Sequence, residues 1–366
     1  MKTKDQIQEE ALKIVKPLHN SGVAISMGVG KTLIGLKHME YNYNEFAKFL
    51  VVAPKKSIQK SWVEDAKKFN LAYLLPHIKF STYLSLTKQD LDYDVVYLDE
   101  CHSLKNSHDI WLSTYAGIIL GLTGTPPKYD GSEKGKLINK HCPMVYRYIT
   151  DTAVKDEILN DYKIVVHMLH LNQAKTIFVN KNNKSWYTSE QIQYDYWTDR
   201  IEAAFTQKEA GIMRIMRMKA MMDFPTKERK AKFMLGMFAE KSEYKVILFA
   251  NTQDQADLLC VNSYHANNPR SEQNLEKFKS GEIKALSCVL QLSEGVNIPD
   301  LKVGIILHAY GNETKSAQRI GRCMRLNPKD NSIIHILCFM NTVDEDWVKE
   351  ALSGYDQTKI SWIPSN

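Results

Sequence analysis

Phe49-Leu50-Val51-Val52-Ala53 is a continuous apolar run closed by Pro54. It is too short for a buried helix and has no polar alternation, so it fits a parallel strand covered on both faces. The pattern recurs. Ile78 to Tyr83, Val95 to Leu98 and Ile118 to Leu122 are further short β-rich runs. Helical stretches are predicted at 5–18, 32–41 and 57–69 from the spacing of their apolar residues. Polar residues follow the strands: Asp99-Glu100 after Leu98, and Thr123-Gly124-Thr125-Pro126 after Leu122. Strands that alternate with helices and end in polar residues predict an open parallel sheet with its site along the carboxyl edge. A second series, Tyr162 to Leu171, Lys245 to Ala250, Ile283 to Leu290, Val303 to Leu307 and Ile333 to Phe339, predicts another α/β sheet. The expected domains are 1–155 and 156–366.

Three stretches carry chemistry. Ala24 to Thr32 reads as a strand, a glycine-rich turn and the start of a helix. Glycines let successive N–H groups curl around an anion, Lys31 adds a point charge, and Thr32 offers a hydroxyl to Mg²⁺. A full phosphate loop has Gly where this chain has Ile25, so a plain turn before a helix also fits. Asp99-Glu100 supplies a metal ligand and a base or positioner for water, the two needs of phosphoanhydride hydrolysis; a loop or helix cap is the plainer reading. Arg322 and Arg325, three apart, share a helical face and could neutralise a leaving phosphate. They equally suit a solvated basic face or a structural ion pair.

Composition narrows the classes. The chain has 366 residues, 44% hydrophobic and 25% charged, with a net charge of +6 that is compatible with a polyanionic partner without demanding one. Its six cysteines form no CxxC pair, which argues against zinc and disulfide frameworks. The N-terminus is polar, and no apolar run approaches the ~20 residues of a membrane span. A soluble cytoplasmic protein is expected.

The order Gly-Lys-Thr, Asp-Glu-Cys-His, Thr-Gly-Thr-Pro and Gln-x-x-Gly-Arg-x-x-Arg resembles the superfamily 2 helicases and translocases. In the first half, Met27 to Thr32, Val52-Ala53-Pro54-Lys55 followed by Trp62, and Asp99 to Asn106 look like the Swi/Snf group. Ile25-Ser26 departs from that group's acidic pair, and Cys101 from its alanine. In the second half, Ser293 to Asp300 and Gln318 to Arg325 look like the XPB-like and UvsW-like helicases, in a compact phage or bacterial member. The resemblance implies an α/β fold of two RecA-like lobes with parallel sheets, an ATP site in the cleft between them, and a helical and hairpin insertion at 172–243 in lobe two. It implies ATP and Mg²⁺ as cofactors, with Met27, Gly28, Val29, Gly30, Lys31 and Thr32 on the phosphates. Thr32 and Asp99 would hold Mg²⁺, Glu100 would activate water, and Arg322 and Arg325 would be arginine fingers. Gln8, or Gln6, would contact adenine. His102, Thr123, Thr125 and Gln318 would couple nucleotide state to nucleic acid, and Gly295 and Asn297 would sit in lobe two's coupling loop.

Nucleic-acid contacts are expected at Pro54, Lys55, Lys56 and Ser57, a helix start suited to clamping a backbone phosphate, though each lysine also suits a solvated face. Thr82 and Thr252, at equivalent strand ends, resemble strand-tracking positions. Between 172 and 243 lie a possible hairpin turning at Asn180–Lys184, the aromatics Trp186, Tyr187, Tyr194, Tyr196 and Trp197, and a methionine-rich helical stretch. Residues 207–241 hold nine Lys/Arg against four Asp/Glu and seven of the fourteen Met, most of which are expected in a helical core. Trp186 and Trp197 either anchor the insertion onto lobe two or offer a stacking surface to a separated strand. The reading is a monomeric ATP-driven motor on single- or double-stranded DNA, with no membrane partner. An RNA-directed ATPase and a non-enzymatic nucleotide-binding subunit are the alternatives.

Overall fold

Alternate residues of the central strands enter two different cores in the computed structural model, which describes residues 1–26, 28–56, 58–127, 129–159, 161–181, 184–241, 244–289, 298, 301–308 and 331–365. The chain divides into two units, the first formed by Met1–Asp161 and the second beginning at Tyr162. In the first, β1 (Asn20–Ile25), β2 (Phe49–Ala53), β3 (Ile78–Thr82), β4 (Val95–Asp99), β5 (Ile118–Thr123) and β6 (Met144–Tyr148) form one sheet in the order β3-β2-β4-β5-β1-β6. Every pairing in it is parallel. On β2, Val51 and Ala53 face one core while Leu50 and Val52 face the other; on β4, Val95 and Tyr97 oppose Val96 and Leu98. This period-2 alternation with both faces apolar is why the runs carry no polar residues.

Helices α1 (Lys4–Val15), α2 (Lys31–Tyr41) and α3 (Ile58–Lys68) cover the first face. A capping box between Thr3 and Gln6 starts α1. Its inward stripe, Ile7, Gln8, Ala11, Leu12 and Val15, carries Gln8 into the interior with the apolar residues. Ile58, Trp62 and Ala66, four apart, form the buried stripe of α3. Helix α2 lies so close to the Trp62 ring that a Cβ on Gly35 would come within 2.4 Å of it, so this crossing requires glycine.

The second unit contains β7 (Asp161–Leu169), the hairpin β8 (Ile177–Lys181) and β9 (Lys184–Thr188), then β10 (Lys245–Phe249), β11 (Ser263–Tyr264), β12 (Ala285–Cys288), β13 (Leu301–Ile306), β14 (Asn331–Phe339) and β15 (Ile360–Pro364). Seven of these make a sheet in the order β11-β12-β10-β13-β14-β7-β15, and β8 and β9 pair antiparallel apart from it. Both large sheets are of the parallel kind expected for RecA-like lobes. Among the described residues no helix is long and apolar enough to cross a membrane.

The methionines depart from expectation. Of the seven in 207–241 only Met221 and Met234 are buried, and Met216 is exposed. Helix Gln207–Met222 packs against helix Glu190–Glu202 and buries little besides Ala210 and Met221. A helix covered on one side cannot bury methionines spread around its circumference.

Helix Pro225–Lys241 is tied inward by Lys227, whose ammonium lies 2.6 Å from the Asp344 carboxylate, both fully buried. Asp344 also accepts the Phe339 N–H at 2.8 Å, so this buried pair is hydrogen-bonded as well as charge-matched. Two neighbouring strands bury a histidine pair. His167 Nε2 on β7 and His335 Nδ1 on β14 are 2.9 Å apart. Burial pushes both rings down to about 4, helped by Lys230 at His167 and by His167 itself at His335. The unfolded chain therefore takes up protons below about pH 6.5 that the folded chain refuses until about pH 4, so the pair's contribution is whole above 6.5 and lost on acidification. Unfolding free energies from urea titrations at pH 7.5 to 4.5 should hold down to about pH 6.5 and then fall, with a slope approaching about 1.4 kcal/mol per pH unit for each histidine. In the His167→Gln/His335→Gln variant that slope should shrink.

Candidate active site

The carboxyl ends of β1, β5 and β4, three adjacent strands, gather most of the residues that the sequence singled out. After β1 the chain turns through Gly28 at φ 85° and Gly30 at φ 107°, both in the left-handed region that glycine reaches without strain. Gly30 is also the N-cap of α2, with no side chain bonding the free N–H groups of the first turn. Those groups and the helix dipole suit an anion. Met27 lies outside the described residues. Gln8 reaches the loop from α1: its Nε2 donates to the Val29 carbonyl at 2.8 Å, and a Cβ on Gly30 would lie 2.5 Å from it. Its buried Oε1 has no hydrogen-bond partner among the described residues. Gln8 thus grips the loop backbone, and one acceptor is left over.

Lys31, at the start of α2, places its ammonium 3.4 Å from Glu100 Oε1. Glu100 follows β4 with φ 51°, an uncommon conformation for a residue with a side chain, of the kind held in place at functional sites. Burial alone would raise its carboxyl, but Lys31, His102 and hydrogen bonds from Lys31 and the Gly124 backbone outweigh it, and the net direction is down. Asp99 moves the other way, pushed up to about 6 by burial and then by the charge of Glu100, against the pull of Trp62 and Lys31. Of the two adjacent carboxylates, the one beside the lysine keeps its charge and the other takes a proton first.

Around Glu100 the polar groups interlock. His102 Nδ1 is 2.9 Å from Thr123 Oγ1, 3.2 Å from Thr125 Oγ1 and 3.3 Å from Glu100 Oε2. The Thr125 N–H donates to Thr123 Oγ1 at 3.1 Å. Burial holds His102 below the ordinary imidazole value. The structure therefore brings His102, Thr123 and Thr125 together and joins them to Glu100.

Two further residues escaped the sequence as site residues. Trp62 Nε1 donates to Asp99 Oδ2 at 2.8 Å, while Asp99 Oδ1 accepts the Glu100 N–H at 3.0 Å. One turn along α3, the Asp65 carboxyl, raised by burial above the ordinary carboxylate value, lies near the Thr32 hydroxyl. Spacing three apart on one helix places both on the same side. That spacing was visible in the sequence; what the two side chains touch was not.

Among the described residues no group of three or more His, Cys, Asp or Glu could cage a metal. Thr32 and Asp99 suit Mg²⁺, which keeps several waters and takes phosphate oxygens beside one or two protein ligands. Pro54, Lys55 and Lys56 bridge β2 and α3 with both lysines exposed, and Ser57 lies outside the described residues. Thr82 ends β3. The Thr252 hydroxyl caps helix Gln253–Leu259 by accepting the Gln255 N–H at 3.1 Å. Gly295, Asn297, Gln318, Arg322 and Arg325 lie outside the described residues.

Comparison with known proteins places these features in a family. The family model described as "Type III restriction enzyme, res subunit" matches residues 2–128, and "Helicase conserved C-terminal domain" matches 226–327. The DNA 3'-5' translocase XPB2 of Sulfurisphaera tokodaii is 23% identical over 90% of this chain and 80% of its own. The pre-mRNA-processing ATP-dependent RNA helicase PRP5 of Vanderwaltozyma polyspora is 32% identical, over 27% of this chain and 12% of that protein. Among solved structures, the DNA-bound ATP-dependent Type ISP restriction-modification enzyme LlaBIII superposes with TM-score 0.62 at 14% identity, covering 100% of this chain and 31% of that one. The Hef helicase domain of Pyrococcus furiosus has TM-score 0.50 at 16% identity, covering 93% and 97%. With a glycine turn opening α2, a buried acidic pair and two family matches in the order of the two sheets, the chain belongs to the superfamily 2 helicases and translocases.

Proposed function

We propose that this protein is an ATP-dependent DNA helicase or translocase that couples ATP hydrolysis to movement along DNA, with residues 1–155 and 156–366 as its two lobes. The observation that carries the reading is the buried chain of contacts from Lys31 through Glu100 to His102, Thr123 and Thr125. Lys31 and the N–H groups of the Gly28–Gly30 loop bind the outer phosphates. Glu100, kept ionised by Lys31, orients the attacking water and accepts its proton. His102, Thr123 and Thr125 report the state of Glu100 to the neighbouring strand ends. Mg²⁺, when bound by Thr32 and Asp99, supplies charge neutralisation at the phosphates. Arg322 and Arg325 take the arginine-finger role. DNA is favoured as the track by the extent of the match to XPB2, which spans most of both chains. The shorter match to PRP5 supports RNA as the second reading.

The deciding measurement is ATPase stimulation by single-stranded DNA, duplex DNA and RNA. DNA should stimulate and RNA should not; the reverse would make this an RNA-directed enzyme. Glu100→Gln should keep nucleotide binding and lose about 10²- to 10⁴-fold in turnover, and turnover near the wild-type value would return the chain to a nucleotide-binding subunit. Trp62→Phe removes the indole N–H from Asp99 and also leaves a cavity beside Gly35, so the melting temperature should fall. At a temperature where the variant is still folded, kcat should drop roughly tenfold with KM for ATP little changed, since orientation of Asp99 is what is lost. An unchanged kcat in the folded variant would make Trp62 a packing residue only.

A further inference from the structure

The hairpin β8–β9 lies outside the segments that both family models match. Its base is firmly held. Glu190, buried, accepts the Asn172 N–H with one carboxylate oxygen and the Thr226 N–H with the other, each at 2.8 Å, tying both ends of the hairpin to helix Pro225–Lys241. Thr188 and Ser189 are buried at the same level, and Ile177 packs against the core of the second unit. Beyond that base the hairpin leaves the core. Phe178 and Tyr187 sit directly opposite each other in the ladder with ring centroids 5.4 Å apart, yet they are 57% and 62% exposed. Trp186, on the other face opposite Val179, is 46% exposed. From Lys175 to Thr188 the sequence has three lysines and no acidic residue.

An isolated two-stranded hairpin is only marginally stable in water, and exposed aromatic rings on both of its faces gain nothing from burial. Flat rings flanked by cations with no anions among them are the composition that receives an unpaired strand: bases stack on the rings and the lysines meet the phosphates. We propose that the β8–β9 hairpin is a stacking platform for single-stranded nucleic acid, formed by Phe178, Tyr187 and Trp186 with Lys175 and Lys184. It binds without regard to sequence, because every base has a face to stack. The proposal rests on the DNA-motor reading and adds to it a contact for the separated strand.

Phe178→Thr/Tyr187→Thr and, separately, Trp186→Ala test it, threonine being chosen to keep the strand preference. Binding of fluorescein-labelled oligothymidylate should weaken roughly tenfold or more in each variant, as expected for loss of base stacking. Blunt-duplex binding, basal ATPase and melting temperature should hold. Unchanged oligothymidylate affinity in both variants would overturn the platform. So would a variant that binds normally but loses self-association in sedimentation, which would make the rings a contact between copies. If the wild-type protein binds and responds to no nucleic acid at all, the motor reading itself falls; duplex-stimulated ATPase with unaltered variants removes the platform alone.

Discussion

A carboxylate that must stay charged while buried needs a cation within reach, and Lys31 is that cation for Glu100. Their 3.4 Å approach ties the first turn of α2 to the end of β4, two places 69 residues apart in sequence. The approach depends on the loop between β1 and α2 curling tightly, which Gly28 and Gly30 permit through positive φ and which Gln8 braces from below. It also sets the charges of the whole site. With Glu100 ionised beside the lysine, the next proton goes to Asp99, and buried His102 faces an anion instead of another neutral group. Removing either partner would leave a lone charge in a poorly solvated place.

The sheet explains why the chemistry is gathered where it is. Strands covered on both faces hold few polar side chains along their length, and only where these find partners, so most polar residues collect where the strands stop. In the first unit three neighbouring strands stop together, and their ends supply the loop, the acidic pair and the threonines. The outermost strands are less covered: β3 and β6 each have one buried residue, Ser81 and Tyr148, and are otherwise partly buried or exposed, as edge strands are.

Much of this was legible in residues alone. The unbroken apolar runs identified parallel strands, and Gly-Lys-Thr, Asp-Glu-Cys-His and Thr-Gly-Thr-Pro marked strand ends that the fold brings together, because local sequence encodes where a buried strand stops. Three things were not legible, each for a reason of packing. Trp62 and Asp65 act on residues distant in sequence, so their spacing predicted a helix face without its targets. Gln8, expected at adenine, also holds the Val29 carbonyl with its amide nitrogen, a contact to the loop that the sequence did not indicate. The methionines of 207–241 look like core residues in composition, and only the one-sided packing of helix Gln207–Met222 leaves most of them partly wet.

Helix α3 joins two neighbourhoods with one rigid rod. It begins just beyond the exposed Lys55 and Lys56, and its buried face sends Trp62 to Asp99. Eleven residues of helix span about 16 Å. A helix that short does not bend without a break in its ladder. A displacement of its first turn would therefore carry Trp62, and with it the indole N–H held by Asp99, along with the lysines. One unbroken helix thus spans the distance from the exposed lysines to the acidic pair.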